Sequence, residues 1–81
     1  MIIQTEKALF VPNEDRSDNY ITEFYTEVNL STLVIKEDRT LIPPQYTLFL
    51  EFKENKRMFR ELLFSSSKKQ KVINFVNEYL K

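Results

Sequence analysis

The chain has 81 residues, 42% hydrophobic and 30% charged, and its 12 Lys and Arg balance 12 Asp and Glu to a formal net charge of zero. It contains no Gly, Cys, His or Trp. These absences exclude disulfide frameworks, thiolate nucleophiles, zinc ribbons and imidazole bases, together with every Gly-rich phosphate loop, dinucleotide fingerprint and nucleophile elbow.

The length predicts one domain, residues 1–81, with no room for a second. Abundant Phe, Tyr, Leu, Ile and Val at zero net charge argue against disorder. A domain of this size buries only about 60–65% of its unfolded surface, so a partner or a homodimer would add useful stability. Lack of cysteine agrees with a reducing cytoplasm, which is the expected location. Glu6 and Lys7 interrupt the run from Met1 to Phe10 where a signal peptide needs an apolar core, and no stretch approaches the ~20 apolar residues of a membrane span.

From Met1 to Val11 the apolar residues flank a polar centre and read as one extended edge strand, with a break near Glu6 as the variant. Pro12 to Asn19 is polar and turn-rich, the composition of an exposed, flexible loop. Tyr20 to Leu30 alternates with period two and is rich in Thr, Tyr and Val, which favours a strand, although Ile21, Phe24, Tyr25 and Val28 also match helical spacing. Leu33 to Lys36 is a short β-branched run closed by Glu37-Asp38-Arg39, and Pro43-Pro44 interrupts the chain after it. Tyr46, Leu48, Leu50 and Phe52 mark the clearest strand, and Glu54-Asn55-Lys56 offers a tight turn into Arg57–Phe64, read as the returning strand of a hairpin over a competing helical stripe. Val72, Ile73, Val76, Tyr79 and Leu80 share one face of a C-terminal helix, and the Ser67-x-x-Gln70 spacing predicts a capping box at its start. Without glycine, left-handed turn positions fall to residues such as Asn13, Asn19, Asn29, Asp38 and Asn55.

The expected architecture is α+β, a small antiparallel sheet of four or five strands with one C-terminal helix packed on it. From Tyr46 to Lys81, the order strand, charged turn, strand, capped helix resembles the last quarter of pleckstrin-homology-like domains in topology, under half of the chain; lipid binding is not carried over with it. A ferredoxin-like arrangement is the alternative and requires a helix over Tyr20–Leu30.

Neutrality hides an asymmetry, since residues 1–40 carry four basic and eight acidic side chains and residues 41–81 the reverse. The basic set is Lys53, Lys56, Arg57, Arg60, Lys68, Lys69 and Lys71, which with Ser67 offers anion or nucleic-acid contacts, most sharply at the helix start where the macrodipole disfavours lysines. A solvated face that keeps a neutral protein soluble is the favoured reading of these charges, with anion contact as the sharper alternative. Tyr20, Glu23, Tyr25 and Glu27 read as protein-contact residues of the acidic half. Glu14, Asp15 and Asp18 have the oxygen ligands of a hard cation but neither the spacing nor the Gly of an EF-hand, so a solvated loop is expected and no metal. No cofactor is implied and no enzymatic activity is expected. The sequence therefore predicts a small protein-binding module, an accessory protein or inhibitor, acting through a sheet edge or its acidic half. A nucleic-acid-binding accessory protein using the basic half is the alternative. The skew to Lys, Asn, Ile and Phe resembles that of chains from AT-rich bacteria and their phages and plasmids, a likeness of composition alone.

Overall fold

A computed structural model describes all residues, Met1–Lys81. Six strands form one antiparallel meander in sequence order: β1 (Ile3–Gln4), β2 (Leu9–Pro12), β3 (Ile21–Val28), β4 (Ser31–Asp38), β5 (Gln45–Glu54) and β6 (Arg57–Ser66). One helix, α1 (Lys69–Tyr79), follows β6. Within Tyr20–Leu30, Ile21–Val28 is strand and Asn29-Leu30 a turn, which removes the ferredoxin-like alternative.

The sheet has six strands instead of four or five because the N-terminal segment folds back on itself. Thr5 closes that reversal, its N–H donating to the Ala8 carbonyl at 2.9 Å while its Oγ1 accepts the Ala8 N–H at 3.0 Å. Ile3 then lies opposite Phe10, and both are buried. The polar centre of the segment is a turn.

Strand alternation sends Phe24, Leu33, Ile35 and Leu48 to one face, where they meet Ile3, Phe10 and the helical Val72 and Val76 in a single core. Period 3.6 on α1 meets period two on the sheet there. Phe75 stacks on Phe64 at 4.8 Å between ring centroids, fixing the helix against β6, and Asn77 Oδ1 accepts the Glu6 N–H at 2.9 Å, tying it to the N-terminal turn. Isolated, a helix of 11 residues would be marginal; its apolar stripe makes it stable here. It is also too short and too polar to cross a membrane.

The capping box does not form. Lys68 occupies the cap position in an extended conformation and no side chain caps the helix. Ser66 Oγ instead accepts the Lys68 N–H at 3.1 Å, and Gln70, one position too early to reach back, bonds Asn74. The Pro12–Asn19 loop is pinned rather than loose, with a short 3-10 turn at Glu14–Arg16. Asn13 donates its N–H to the Glu23 carbonyl at 2.7 Å, and the Ser17 hydroxyl bridges the Asn13 carbonyl and the Glu23 N–H.

Asn29, Asn55 and Lys56 take positive φ, at 57°, 52° and 64°. Asn29 and Asn55 meet the expectation for a glycine-free chain, whereas Asn13, Asn19 and Asp38 do not take positive φ. Lys56 is the outlier, because the two-residue turn between β5 and β6 needs left-handed backbone at both positions and the second is filled by neither Gly nor Asn. Lys56→Gly is expected to raise stability by about 1 kcal/mol, read as a higher urea midpoint with unchanged slope.

Candidate functional site

The hairpin of β5 and β6 generates the two features that stand out from an ordinary small sheet. Its turn sets the register so that Glu54 opposes Arg57, Phe52 opposes Phe59, Glu51 opposes Arg60 and Leu50 opposes Glu61. Arg57, Phe59 and Glu61 consequently lie on the helix side of the sheet, and Met58, Arg60 and Leu62 on the open side. A bulge at Leu48/Phe49 interrupts the register beyond Leu62.

The first feature is an ion-pair network on the open side. Arg60 grips Glu23 with two N–H donors at 3.0 Å each, donates from Nε to Glu51 at 2.8 Å, and also contacts Glu51 through its second terminal nitrogen. Its guanidinium lies 4.8 Å from the Phe49 ring centroid. Arg16, delivered by the pinned loop, donates to the same Glu51 oxygen at 2.7 Å. Both carboxylates are nearly buried, with side-chain exposures of 11% for Glu23 and 9% for Glu51. No buried side-chain nitrogen or oxygen is left without a partner.

Electrostatics follows from this geometry. Burial alone would raise the Glu51 carboxyl, but hydrogen bonds from Arg60 and then Arg16 outweigh it and hold it below the usual range. Arg60 is raised, first by its hydrogen bonds to Glu23 and against the effect of burial. A carboxylate lowered on folding stabilises the native state above its unfolded value and loses that contribution as pH falls through the folded one. Stability is expected to be constant above about pH 5 and to decline below about pH 4, with Glu51→Gln flattening that decline. Urea unfolding across this range checks it.

The second feature is the free edge of β6. It is a ten-residue strand paired only on its β5 side. Arg57 to Leu62 are all exposed, with Met58 at 55%, Phe59 at 42% and Leu62 at 59%. Since a two-residue hairpin makes Glu54 and Arg57 a hydrogen-bonded pair, the backbone groups of Met58, Arg60 and Leu62 point away from β5. Sheet edges elsewhere are blunted by short strands, charge, bulges or a covering helix. The opposite edge, β1, is only two residues long.

The residues expected to contact anions are not brought together. Lys53, Lys56 and Arg57 sit at the hairpin turn, whereas Ser67, Lys68, Lys69 and Lys71 sit beyond the other end of β6. Ten residues at about 3.3 Å each separate the groups by roughly 30 Å. Arg60 leaves the set, because its guanidinium is spent on Glu23 and Glu51.

Of the expected protein-contact residues, Glu23, Tyr25 and Glu27 share the open side of β3, and Tyr20 precedes the strand at 63% exposure. Glu23 is corrected to a structural role, since Arg60 occupies both of its oxygens. Glu27 is exposed and Tyr25 half-buried, and both line a hollow of about 150 Å³ with Thr32, Glu51 and Arg16. Asp18 in the acidic loop accepts the N–H groups of Tyr20 and Ile21, which lower its carboxyl. No group of three acids is placed to hold a metal ion.

Comparison with known proteins finds no match. No family model fits the chain, and neither a curated protein nor a solved structure resembles it significantly. Met58, Phe59, Glu61 and Leu62 were not among the expected site residues. Their signal is the stretch Arg57-Met58-Phe59-Arg60-Glu61-Leu62, which mixes charged and apolar side chains on both alternating faces, as an edge strand without a layer over it does.

Proposed function

We propose that this protein is a non-enzymatic binding module that takes up a strand of another polypeptide along the outer edge of β6. The observation that carries the reading is a ten-residue strand whose outward backbone groups are unpaired and whose Met58, Phe59 and Leu62 are exposed. Main-chain bonds to such an edge provide affinity, and the alternating side chains provide selectivity. The network behind it supports the same reading. Arg60 and Glu51 lock β6 to β5 and, through Glu23, to β3, so the edge is presented on a rigid sheet. The buried carboxylates are engaged by guanidinium groups, which favours scaffold work over proton transfer. An accessory or inhibitory role in the cytoplasm agrees with this chemistry. Nucleic-acid binding by the basic half is less well supported, because its cations divide between the two ends of β6.

The test is capture from host lysate, with and without nuclease, comparing the wild type with Met58→Lys/Leu62→Lys. Both positions are exposed, so stability is expected to change by less than about 0.5 kcal/mol per site. A protein retained by the wild type after nuclease and lost by the double variant is the expected result. Retention unaffected by the two lysines, or retention abolished by nuclease, contradicts it.

A further inference from the structure

The chemistry of β6 points to one occupant for its edge. We propose that a second copy of this chain pairs there, β6 against β6 antiparallel, about a two-fold axis perpendicular to the sheet and midway between the two Phe59 residues. This rests on the reading of the edge given above and names its partner.

Symmetry restricts the choices. Directly opposed residues in an antiparallel pair point to the same face, so a symmetric pairing must be centred on a residue. Within the bulge-free part of β6, centres at Arg57, Arg60 or Glu61 oppose a charge to itself, a centre at Met58 opposes Lys56 to Arg60, and a centre at Leu62 carries the pairing straight across the bulge at Leu63. The centre at Phe59 has no such conflict. It sets Arg57 against Glu61 of the second copy, twice by symmetry, with the two Phe59 rings between them. Neither Arg57 nor Glu61 has an ion-pair partner within its own chain. Four residues apart on one strand, they lie roughly 13 Å from each other and cannot pair intramolecularly. The strand thus carries two opposite, unsatisfied charges symmetrically placed about an exposed aromatic.

Backbone geometry agrees with this register. Met58 and Arg60 have their polar groups outward, and the Phe59 centre opposes Met58 to Arg60 of the second copy, so the unpaired groups meet each other. Phe59 and its counterpart form a non-hydrogen-bonded pair, where side chains approach most closely. Phe59 already stacks on Phe52 at 5.8 Å. The two-fold extends that contact into a row of four rings across the joined sheets. Arg60 keeps its grip on Glu23 and Glu51, since only its main chain is needed. An edge contact of this length is small for a protein interface, which places the dimer at micromolar affinity or weaker.

The chain has no cysteine, so a single introduced thiol reports on the register without interference. Sedimentation of the wild type up to about 1 mM is expected to show a monomer–dimer equilibrium. Phe59→Cys is expected to form a disulfide-linked dimer on mild oxidation, because the two Cα atoms fall about 4.5 Å apart, within disulfide reach. Glu61→Cys, with its counterpart roughly 13 Å away, is expected to stay unlinked. Arg57→Glu should weaken dimerisation at least tenfold, and Arg57→Glu with Glu61→Arg should restore it. A wild type that remains monomeric at 1 mM overturns the second copy as occupant and leaves the edge open to a different polypeptide. A dimer in which Glu61→Cys links as readily as Phe59→Cys, or in which the charge swap fails to rescue, overturns the register. A dimer unaffected by Met58→Lys/Leu62→Lys overturns both this inference and the proposed use of the edge.

Discussion

Arg60→Ala is expected to lower folding stability by about 2–4 kcal/mol, read from the urea midpoint. The guanidinium is the group that Glu23 and Glu51 share, and its loss leaves two nearly buried carboxylates with Arg16 alone between them. Arg16 approaches Glu23 only to 3.9 Å and is 47% exposed, so it cannot take over. Removing one partner from a buried ionic group typically costs about 3–5 kcal/mol; the 29% exposure of the Arg60 side chain shifts the expectation down to about 2–4 kcal/mol. A domain of this length has only about 4–12 kcal/mol in total, so the variant is near its limit. Arg60→Ala with Glu23→Gln and Glu51→Gln should recover more than half of the loss, because the penalty lies in the uncompensated charges. A cost below about 0.5 kcal/mol for Arg60→Ala would instead mark an ordinary surface ion pair.

Phe24→Ala is expected to cost about 3–5 kcal/mol and to leave a substantial unfolded fraction at room temperature. Phe24 is 1% exposed on β3, between the helix side of β2, where it opposes Pro12, and of β4, where it opposes Ile35. Only eight residues form the buried apolar cluster, so none of its neighbours is spare and the cavity cannot be filled by repacking. The far-ultraviolet spectrum at 10 °C and the thermal midpoint together measure the effect. Phe24→Leu, which keeps most of the volume, should cost roughly half as much.

The parts of the fold that were readable are those where local pattern and tertiary environment agree. Tyr46, Leu48 and Leu50 and the stripe of Val72 and Val76 face the same core, with Phe52 further along the same strand face, so period alone identifies them. Lack of glycine pointed to five Asn and Asp positions, and only Asn29 and Asn55, which lie in the two-residue reversals between adjacent strands, are left-handed; Asn13, Asn19 and Asp38 are not. The N-terminal reversal was hidden by the continuity of its apolar residues, since what makes Thr5–Ala8 a turn is a hydroxyl bridging its own backbone, which composition does not display. The helix start was misplaced by one residue because Ser67 is free to cap only if Lys68 is helical, and Lys68 is extended.

The site was partly legible in a stricter sense. Once Asn55-Lys56 is a two-residue turn, counting outward from Glu54 and Arg57 opposes Glu51 to Arg60 and Phe52 to Phe59, so one ion pair and one aromatic pair follow from the turn alone. Arg16 and Glu23 do not follow, because they reach the pair from β3 and its preceding loop, 37 residues from Arg60 in the case of Glu23. Basic residues that look like one patch in sequence are separated because a strand is the most extended way to connect them. Net charge by halves describes composition, whereas a binding surface requires proximity.

The most direct measurement is hydrogen exchange resolved to single amides on β6, under conditions where the protein is free and where it is associated with a second copy or a captured partner. Phe59 and Glu61, bonded inward to β5, should be protected in both states and serve as internal references. The amides of Met58, Arg60 and Leu62 are expected to exchange freely in the isolated chain and to slow by at least tenfold on association. Free exchange of those three amides in the associated state, or equal protection in both, would contradict it.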